Sequence, residues 1–485
     1  MRYLWLITCI SIMYGAMGIE LVDIGLEGTV LTAQELEQAK RGNTTIRRDV
    51  RDAVLWHQAI PTTGLLETTP YFPPHYPYLP HQFTLWELAP NKGRGVSIGI
   101  IDTAIGPNPD LMFAYQTINL VPKIEGSVTT AGEPKLSHGS HTMGIISGID
   151  DGGENRSPSQ DTGISGLAPN ATITLLNAFE NGKSSKNMLT RALEEAHRQN
   201  IDIVNMGLKI AESINLDDQS TKELERAIGH IPYTVTAAGN SGTSHLSYPA
   251  KFPCVTFDVG AFKYKDNAYP IFEVSQHEEG IGPLFVAPGY NILSSGYPDN
   301  DQATYVFMGG TSTAAPIMTG FVALMLGEFK DTFTKPQLLA VVYTSGFFMH
   351  DTQSWKSHSL LGTLDMRTAL FVLHCLNYIR DHYPDVDFAD KAQFETAVAI
   401  LHDMLLQPIG GQAAKQNFAV FLNQNAHQSP HPTNLNLSQV VASVAHKAYQ
   451  KLGGVKNQKN STLFSHLPQY TQQRIEKKLK CSSES

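Results

Sequence analysis

Short apolar runs of strand character recur along this chain, and stretches with helical periodicity lie between several of them. The runs are Val96–Ile101, Ala171–Ala178, Ile201–Met206, Tyr233–Ala238 and Val255–Val259. Ser185–Gln199 and Ser220–Gly229 place apolar residues three and four positions apart, the spacing of one helix face. Strands that alternate with helices require crossover connections, which predicts an α/β domain around a buried, mainly parallel sheet. Ligands of such sheets bind at the carboxyl ends of the strands. The residues just after each apolar run are therefore where chemistry is expected.

The flanks read differently. Beyond about Leu370 the strands stop. Phe394, Val398, Leu401 and Leu405 fall on one helix face, and Val441, Val444, Ala448 and Leu452 repeat the pattern. Turn-rich residues Asn423–Asn436 separate them, so residues 373–485 are expected to form a helical C-terminal region. At the other end, Arg2 precedes an apolar stretch from Tyr3 to Tyr14, broken only by Thr8 and Ser11, with small residues Ala16 and Gly18 after it. This predicts a secretory signal over residues 1–18. The stretch is shorter than the roughly 20 residues of a membrane span. A short anchor or a buried first helix is the alternative. Residues 19–84 form an N-terminal segment with a charged patch from Lys40 to Asp52 and little strand alternation. It ends in a linker carrying Pro70, Pro73, Pro74, Pro77 and Pro80, which favours extended geometry.

Composition narrows the class. The chain has 485 residues, 42% hydrophobic and 17% charged, as a folded globular protein does. Its net charge is −9, yet the last forty residues carry eight Lys and Arg against two Asp and Glu. No aromatic interleaving or base-reading motif accompanies them, so a solvated helix face is expected rather than a nucleic-acid site. Of the four cysteines, Cys9 lies in the signal. Cys254, Cys375 and Cys481 allow at most one intramolecular disulfide. Cys254, in the apolar run Phe252–Phe257, is expected to be a buried packing residue.

Three segments carry candidate chemistry. Asp102 ends the first apolar run, in Ile100-Ile-Asp-Thr-Ala-Ile-Gly106, where a buried carboxylate needs a partner. His138 and His141 open Ser137-His-Gly-Ser-His-Thr-Met-Gly-Ile-Ile-Ser-Gly148, a helix start whose Gly144, Ser147 and Gly148 permit close packing. A metal pair is the other reading of the two histidines, but no third ligand follows at a recognisable spacing. Ser312 opens the helix of Gly310-Thr-Ser-Thr-Ala-Ala-Pro316, with Pro316 in the early turns. Backbone N–H groups beside such a serine suit an anionic intermediate, although a plain N-cap serine is common.

Taken together, these segments resemble the subtilisin-like serine proteases. That family shows Asp-Thr/Ser-Gly, His-Gly-Thr-His and Gly-Thr-Ser-x-Ala-x-Pro in this order. Here they read Asp102-Thr-Ala, His138-Gly-Ser-His and Gly310-Thr-Ser-Thr-Ala-Ala-Pro316. A fourth match is Ala237-Ala-Gly-Asn-Ser-Gly242, and smaller ones are Gly166-Leu-Ala-Pro169, Tyr248-Pro-Ala-Lys-Phe-Pro253 and Val286-Ala-Pro-Gly289. The resemblance covers about Leu85 to Leu370 and implies a subtilisin-like three-layer α/β catalytic domain over residues 85–372. It implies a secreted serine endopeptidase acting on protein or peptide substrates, with an Asp102–His138–Ser312 triad and Asn240 as oxyanion donor. It makes His141 structural. It places Gly207, Leu208, Ala238 and Gly239 along the first subsite, with Ser247 and Tyr248-Pro249 near its base. Small residues there predict room for a medium or large apolar side chain. Residues 19–84 would be a pro-segment, cut between Thr69 and Leu88, or a polar arm that stays attached.

The departures matter as well. Ala104 stands where the family has glycine, and Lys209 follows Met206-Gly-Leu where the family has a second glycine. The lysine is expected to snorkel to solvent; the other reading is a bias toward acidic residues in the subsites. The chemistry requires no cofactor. Asp110 matches a carboxylate that holds structural calcium in many relatives, with the polar stretch Asp150–Asp161 opposite, but it also reads as a turn aspartate. No stable membrane insertion is expected. The alternative function is a catalytically inactive subtilase fold used as a binding scaffold. An esterase is disfavoured because Ser312 lacks a Gly-x-Ser-x-Gly elbow and the order is Asp-His-Ser.

Overall fold

The computed structural model describes residues 26–32, 83–106, 108–111, 115–120, 137–148, 165–179, 184–210, 213–263, 270–296, 304–347, 356, 358–406, 436–455 and 463–481. The expected signal and the proline-rich linker lie outside them. Seven strands form the central sheet: β2 (Ser97–Asp102), β3 (Gln116–Asn119), β4 (Thr172–Asn177), β5 (Ile203–Met206), β6 (Tyr233–Ala237), β7 (Phe257–Phe262) and β8 (Phe285–Pro288). Their order is β3-β4-β2-β5-β6-β7-β8, and every pairing is parallel. The expected apolar runs are the buried strands of this sheet. Chain order reverses across β2, which puts β4 on one side of it and β5 on the other, so a crevice opens at the carboxyl end of β2.

Side-chain alternation along the strands feeds two cores. On one face Ile98, Ile100, Ile203, Val235, Phe257 and Val259 meet α5 (Thr311–Phe329) and α2 (Ser137–Ser147). On the other, Ile101, Leu176, Val204 and Met206 meet α3 (Lys186–Arg198) and α4 (Gln219–Gly229). The result is a three-layer α/β architecture. Among the described residues α5 is the one helix long and apolar enough to cross a membrane, and it is buried in the fold. It runs beneath β5 to β8. Close packing rests on the small residues: a Cβ at Gly144 would collide with Ser294 Oγ, and one at Gly320 would lie 2.6 Å from Leu167 Cβ.

A second, antiparallel sheet has the order β1-β10-β9, formed by Leu26–Thr32, Thr304–Gly309 and Ile292–Gly296. The low alternation of residues 19–69 did not suggest β1. Its backbone pairs along the edge of β10, with Leu26 opposite Gly309 and Thr32 opposite Thr304. Main-chain pairing of this kind needs no two-sided hydrophobic pattern.

The C-terminal helices are continuous with the catalytic core. Helix α6 (Lys335–Thr344) precedes α7 (Met366–His382), which runs unbroken through residue 372. Helices α8 (Lys391–Leu406) and α9 (Leu437–Val455) pack on α7, and their apolar faces join the cluster that contains β7 and α5. The last helix, α10 (Gln469–Cys481), is fixed by a Cys254–Cys481 disulfide with a Cα–Cα distance of 5.4 Å. Cys254 is therefore a cross-linked, half-buried residue rather than a free packing residue. Cys375 is the thiol left over, and it is buried.

Two basic residues of the tail also depart from the expected solvated face. Lys478 is 3% exposed. Its Nζ lies 2.9 Å from Asp258 Oδ1, and Arg474 Nη2 lies 3.4 Å from Asp258 Oδ2. Burial pushes the Asp258 carboxyl up, and the two cations more than offset it, holding the group below the usual carboxylate range. Charge surplus at a chain end does not reveal this, because the acid that pairs with it lies on β7. Removing one partner of a buried pair leaves an uncompensated charge. Lys478→Met is expected to lower unfolding stability by about 3 kcal/mol or more. Urea unfolding measures this, and an unchanged midpoint would mean that the ion cluster contributes nothing.

Candidate active site

Three neighbouring strands, β2, β5 and β6, deliver their next residues to one edge of the sheet. At the end of β2, Asp102 is 2% exposed. Its Oδ1 accepts from the Thr103 backbone N–H at 2.7 Å and its Oδ2 from Thr142 Oγ1 at 3.0 Å. His138 Nδ1 lies 2.8 and 2.9 Å from the two carboxylate oxygens. A carboxylate acts as acceptor here, so His138 Nδ1 carries the proton and Nε2 is left as the basic nitrogen. His138 stands in the first turn of α2. That turn is clamped to the strand end: Gly139 N–H donates to Thr103 Oγ1 at 3.1 Å, and Ser140 Oγ accepts from Gly106 N–H at 3.0 Å. A Cβ at Gly139 would collide with the Thr103 carbonyl. Ala104 does not take a positive φ, so an alanine fits where the family has glycine.

Ser312 is the second residue of α5, in the turn whose N–H groups have no partner within the helix. It is buried, 1% exposed. Gly207, just after β5, packs directly against it: a Cβ there would lie 3.1 Å from the Ser312 carbonyl and 3.6 Å from its Cβ. Asn240 follows β6. Its Oδ1 accepts from Thr311 N–H at 2.7 Å and from Thr311 Oγ1 at 3.0 Å, while Thr311 Oγ1 accepts from Gly239 N–H at 3.0 Å. The amide abuts the Gly310 backbone: a Cβ there would lie 2.9 Å from Asn240 Nδ2. Helices α2 and α5 pack on each other. The sheet edge therefore collects one pair, Asp102–His138, beside a group made of Ser312, Gly207 and Asn240.

The remaining expected residues fall around this edge. Leu208 and Ala238 are buried side chains, Leu208 in the core under α3 and α4 and Ala238 with Leu246 and Ala250. Gly239 has φ +112°, a conformation reserved for glycine. Ile210 N–H donates to the Tyr248 carbonyl at 2.7 Å and Ser247 N–H to Ala238 at 3.1 Å, which joins segments 207–210, 238–241 and 247–249 into one wall. The Lys209 ammonium bonds Ser241 Oγ across that wall, so it does not simply run out to solvent. Asp110 is buried, and its N–H donates to Asn108 Oδ1 at 3.0 Å. The acidic, polar stretch 150–161 lies outside the described residues. Among the described residues no three His, Cys, Asp or Glu side chains gather at metal-binding distances.

Sequence reasoning missed Thr142, Thr311 and Gln276, which bond the candidate residues or their loop. Thr142 lies one helical turn after His138, a spacing that could have marked it. Thr311 stands within the Gly-Thr-Ser segment itself.

His141 points elsewhere than His138. Its Nε2 donates to the Ile292 carbonyl at 2.8 Å, and burial pulls its pKa down to about 3. The folded protein keeps this imidazole neutral, while the unfolded chain protonates it near pH 6.5. The resulting stability is full above pH 6.5 and is lost as pH falls toward 3, at about 1.4 kcal/mol per pH unit. An NMR titration of the folded protein between pH 8 and 5 should leave the His141 ring signals unmoved. A midpoint near 6.5 would contradict the buried, structural role.

A family model for the subtilase family, Peptidase S8, matches residues 93–363. Subtilisin BL from Lederbergia lenta is 29% identical over 240 residues, covering 48% of this chain and 77% of that protein. An alkaline protease from Alkalihalobacillus alcalophilus is also 29% identical over 240 residues. The match covers 48% of this chain and 54% of that relative, so the chain spans about half the relative's length. The solved structure of fervidolysin from Fervidobacterium pennivorans, titled a keratinolytic enzyme related to subtilisin, is 26% identical. It covers 59% of this chain and 43% of the fervidolysin chain at a TM-score of 0.46. With the family match over more than half its length and the parallel sheet that carries the matched motifs, the chain belongs to the subtilase family of peptidases.

Proposed function

We propose that this protein is an extracytoplasmic serine endopeptidase in which Ser312 is the nucleophile, His138 the general base and acid, and Asp102 the group that orients His138. The observation that carries the reading is the buried Asp102–His138 pair held at the strand edge that also presents Ser312 and Asn240. A serine hydroxyl is a weak nucleophile near neutral pH. His138 Nε2 takes its proton as Oγ attacks the scissile carbonyl, then returns it to the leaving amine. Asp102 fixes the tautomer and stabilises the imidazolium, while its bonds from Thr103 and Thr142 hold the carboxylate in place. The developing oxyanion is bound by the Asn240 Nδ2 amide and the Ser312 backbone N–H. Segment 207–209 takes the substrate backbone as an added strand, and Gly207, Leu208, Ala238 and Gly239 border the first subsite.

Secretion fits the disulfide between Cys254 and Cys481, a bond that persists in oxidising compartments. It also fits residues 1–18 as a signal. Residues 19–84 are read as a pro-segment. Within it β1 adds a strand to β10, and β10 leads within three residues to Ser312. The active enzyme is expected to cut its own chain between Thr69 and Leu88.

Ser312→Ala should abolish peptide hydrolysis while leaving the fold intact by circular dichroism, since the lost hydroxyl is small. N-terminal sequencing of the two proteins from a protease-free host should then show the cut in wild type alone. Undiminished turnover by Ser312→Ala would refute the nucleophile. Identical N-termini would refute self-processing.

A further inference from the structure

Gln276 is a fully buried polar side chain that lies 36 residues after Asn240 in the sequence. Every hydrogen bond of its amide goes to one short loop, the one that carries Asn240. The Nε2 group donates to Thr243 Oγ1 at 2.9 Å and to the His245 carbonyl at 2.7 Å. The Oε1 atom accepts from Ser247 Oγ at 2.7 Å and, at 3.4 Å, from the Ser241 N–H. Its own backbone N–H donates to the Gly239 carbonyl at 3.0 Å. Both amide protons and both oxygen lone pairs are thus used on residues 241–247, and a fully satisfied buried network is rigid.

The contact is also steric. A Cβ at Gly239 would collide with Gln276 Oε1 and Ser247 Oγ. The amide therefore fills the space against the backbone immediately before Asn240. Thr311 fixes how the Asn240 amide is turned. It cannot by itself fix the loop that runs on from Asn240, which reaches the rest of the fold through isolated bonds such as Gly242 N–H to the Val274 carbonyl at 2.8 Å.

We propose that Gln276 is a positioning residue for the oxyanion donor: its amide sets the path of Gly239–Ser247 and so the place of Asn240 Nδ2. The inference rests on the reading of Asn240 given above. A donor helps only where charge develops, and misplacement by about 1 Å can cost on the order of 10²-fold in rate. Gln276 touches no reacting atom and acts through Asn240.

A double-mutant cycle on the full-length protein tests this, with kcat and KM for a peptide substrate referred to active sites counted by fluorophosphonate titration. Asn240→Ala is expected to lower kcat about 10²–10³-fold. Gln276→Ala should lower kcat at least about tenfold with KM within about twofold, as loss of an interaction made in the transition state does. In the Asn240→Ala background the same change should cost less than about twofold, because residues that act as a unit are not additive. Gln276→Glu keeps the shape but opposes the His245 carbonyl, and should behave as Gln276→Ala does. Ser247→Ala removes one bond to the amide and should show the same cycle at smaller amplitude. Losses that multiply with Asn240→Ala, or an unchanged kcat per active site, would overturn the proposal. Failure of all three variants to yield folded protein would also overturn it, by showing a purely structural role. An unchanged kcat in Asn240→Ala would refute the oxyanion assignment itself.

Discussion

A carboxylate with almost no exposure has to be paired, and the architecture around Asp102 follows from that need. Its partners come from three directions: its own strand end, the first turn of α2 and the second turn of the same helix. To meet them, α2 must start against the Thr103 carbonyl, which is why glycine stands at 139. The helix must then lie close to β9, which is why Gly144 faces Ser294. An unpaired carboxylate at this depth would cost several kcal/mol. The constraint that places His138 for chemistry is therefore also a constraint on folding.

Much of this was legible in the sequence because it is local. Strands such as Tyr233–Ala237 are short apolar runs, and helices such as Lys186–Arg198 are periodic. The motifs around Asp102, His138, Asn240 and Ser312 each lie within a few residues, at an element boundary. What was not legible is long-range and polar. The pairing of Cys254 with Cys481 spans 227 residues. Asp258 looks like any strand residue until Lys478 and Arg474 arrive on α10. Gln276 carries no local pattern at all, since its five partners are set by how one loop folds over another. β1 escaped notice because an edge strand is held by main-chain bonds that leave little trace in side-chain order.

The C-terminal helices change how the catalytic half should be pictured. Residues 366–382 form one helix whose buried face belongs to the same core as β7 and α5. The start of β7 is tied to α10 through a disulfide and a buried ion cluster. The strand that carries Asp258 lies next to β6, which leads to Asn240. Stability supplied by the tail thus reaches the strands that position the candidate site, through ordinary packing.

The central claim is that the sheet edge activates Ser312. Labelling with a fluorophosphonate, followed by peptide mapping, tests it most directly, because the reagent reacts readily with a serine only when a neighbouring base activates it. The account predicts a single stoichiometric adduct on Ser312, lost when His138 is replaced by alanine. An adduct on another serine, or none on correctly folded protein, would contradict it.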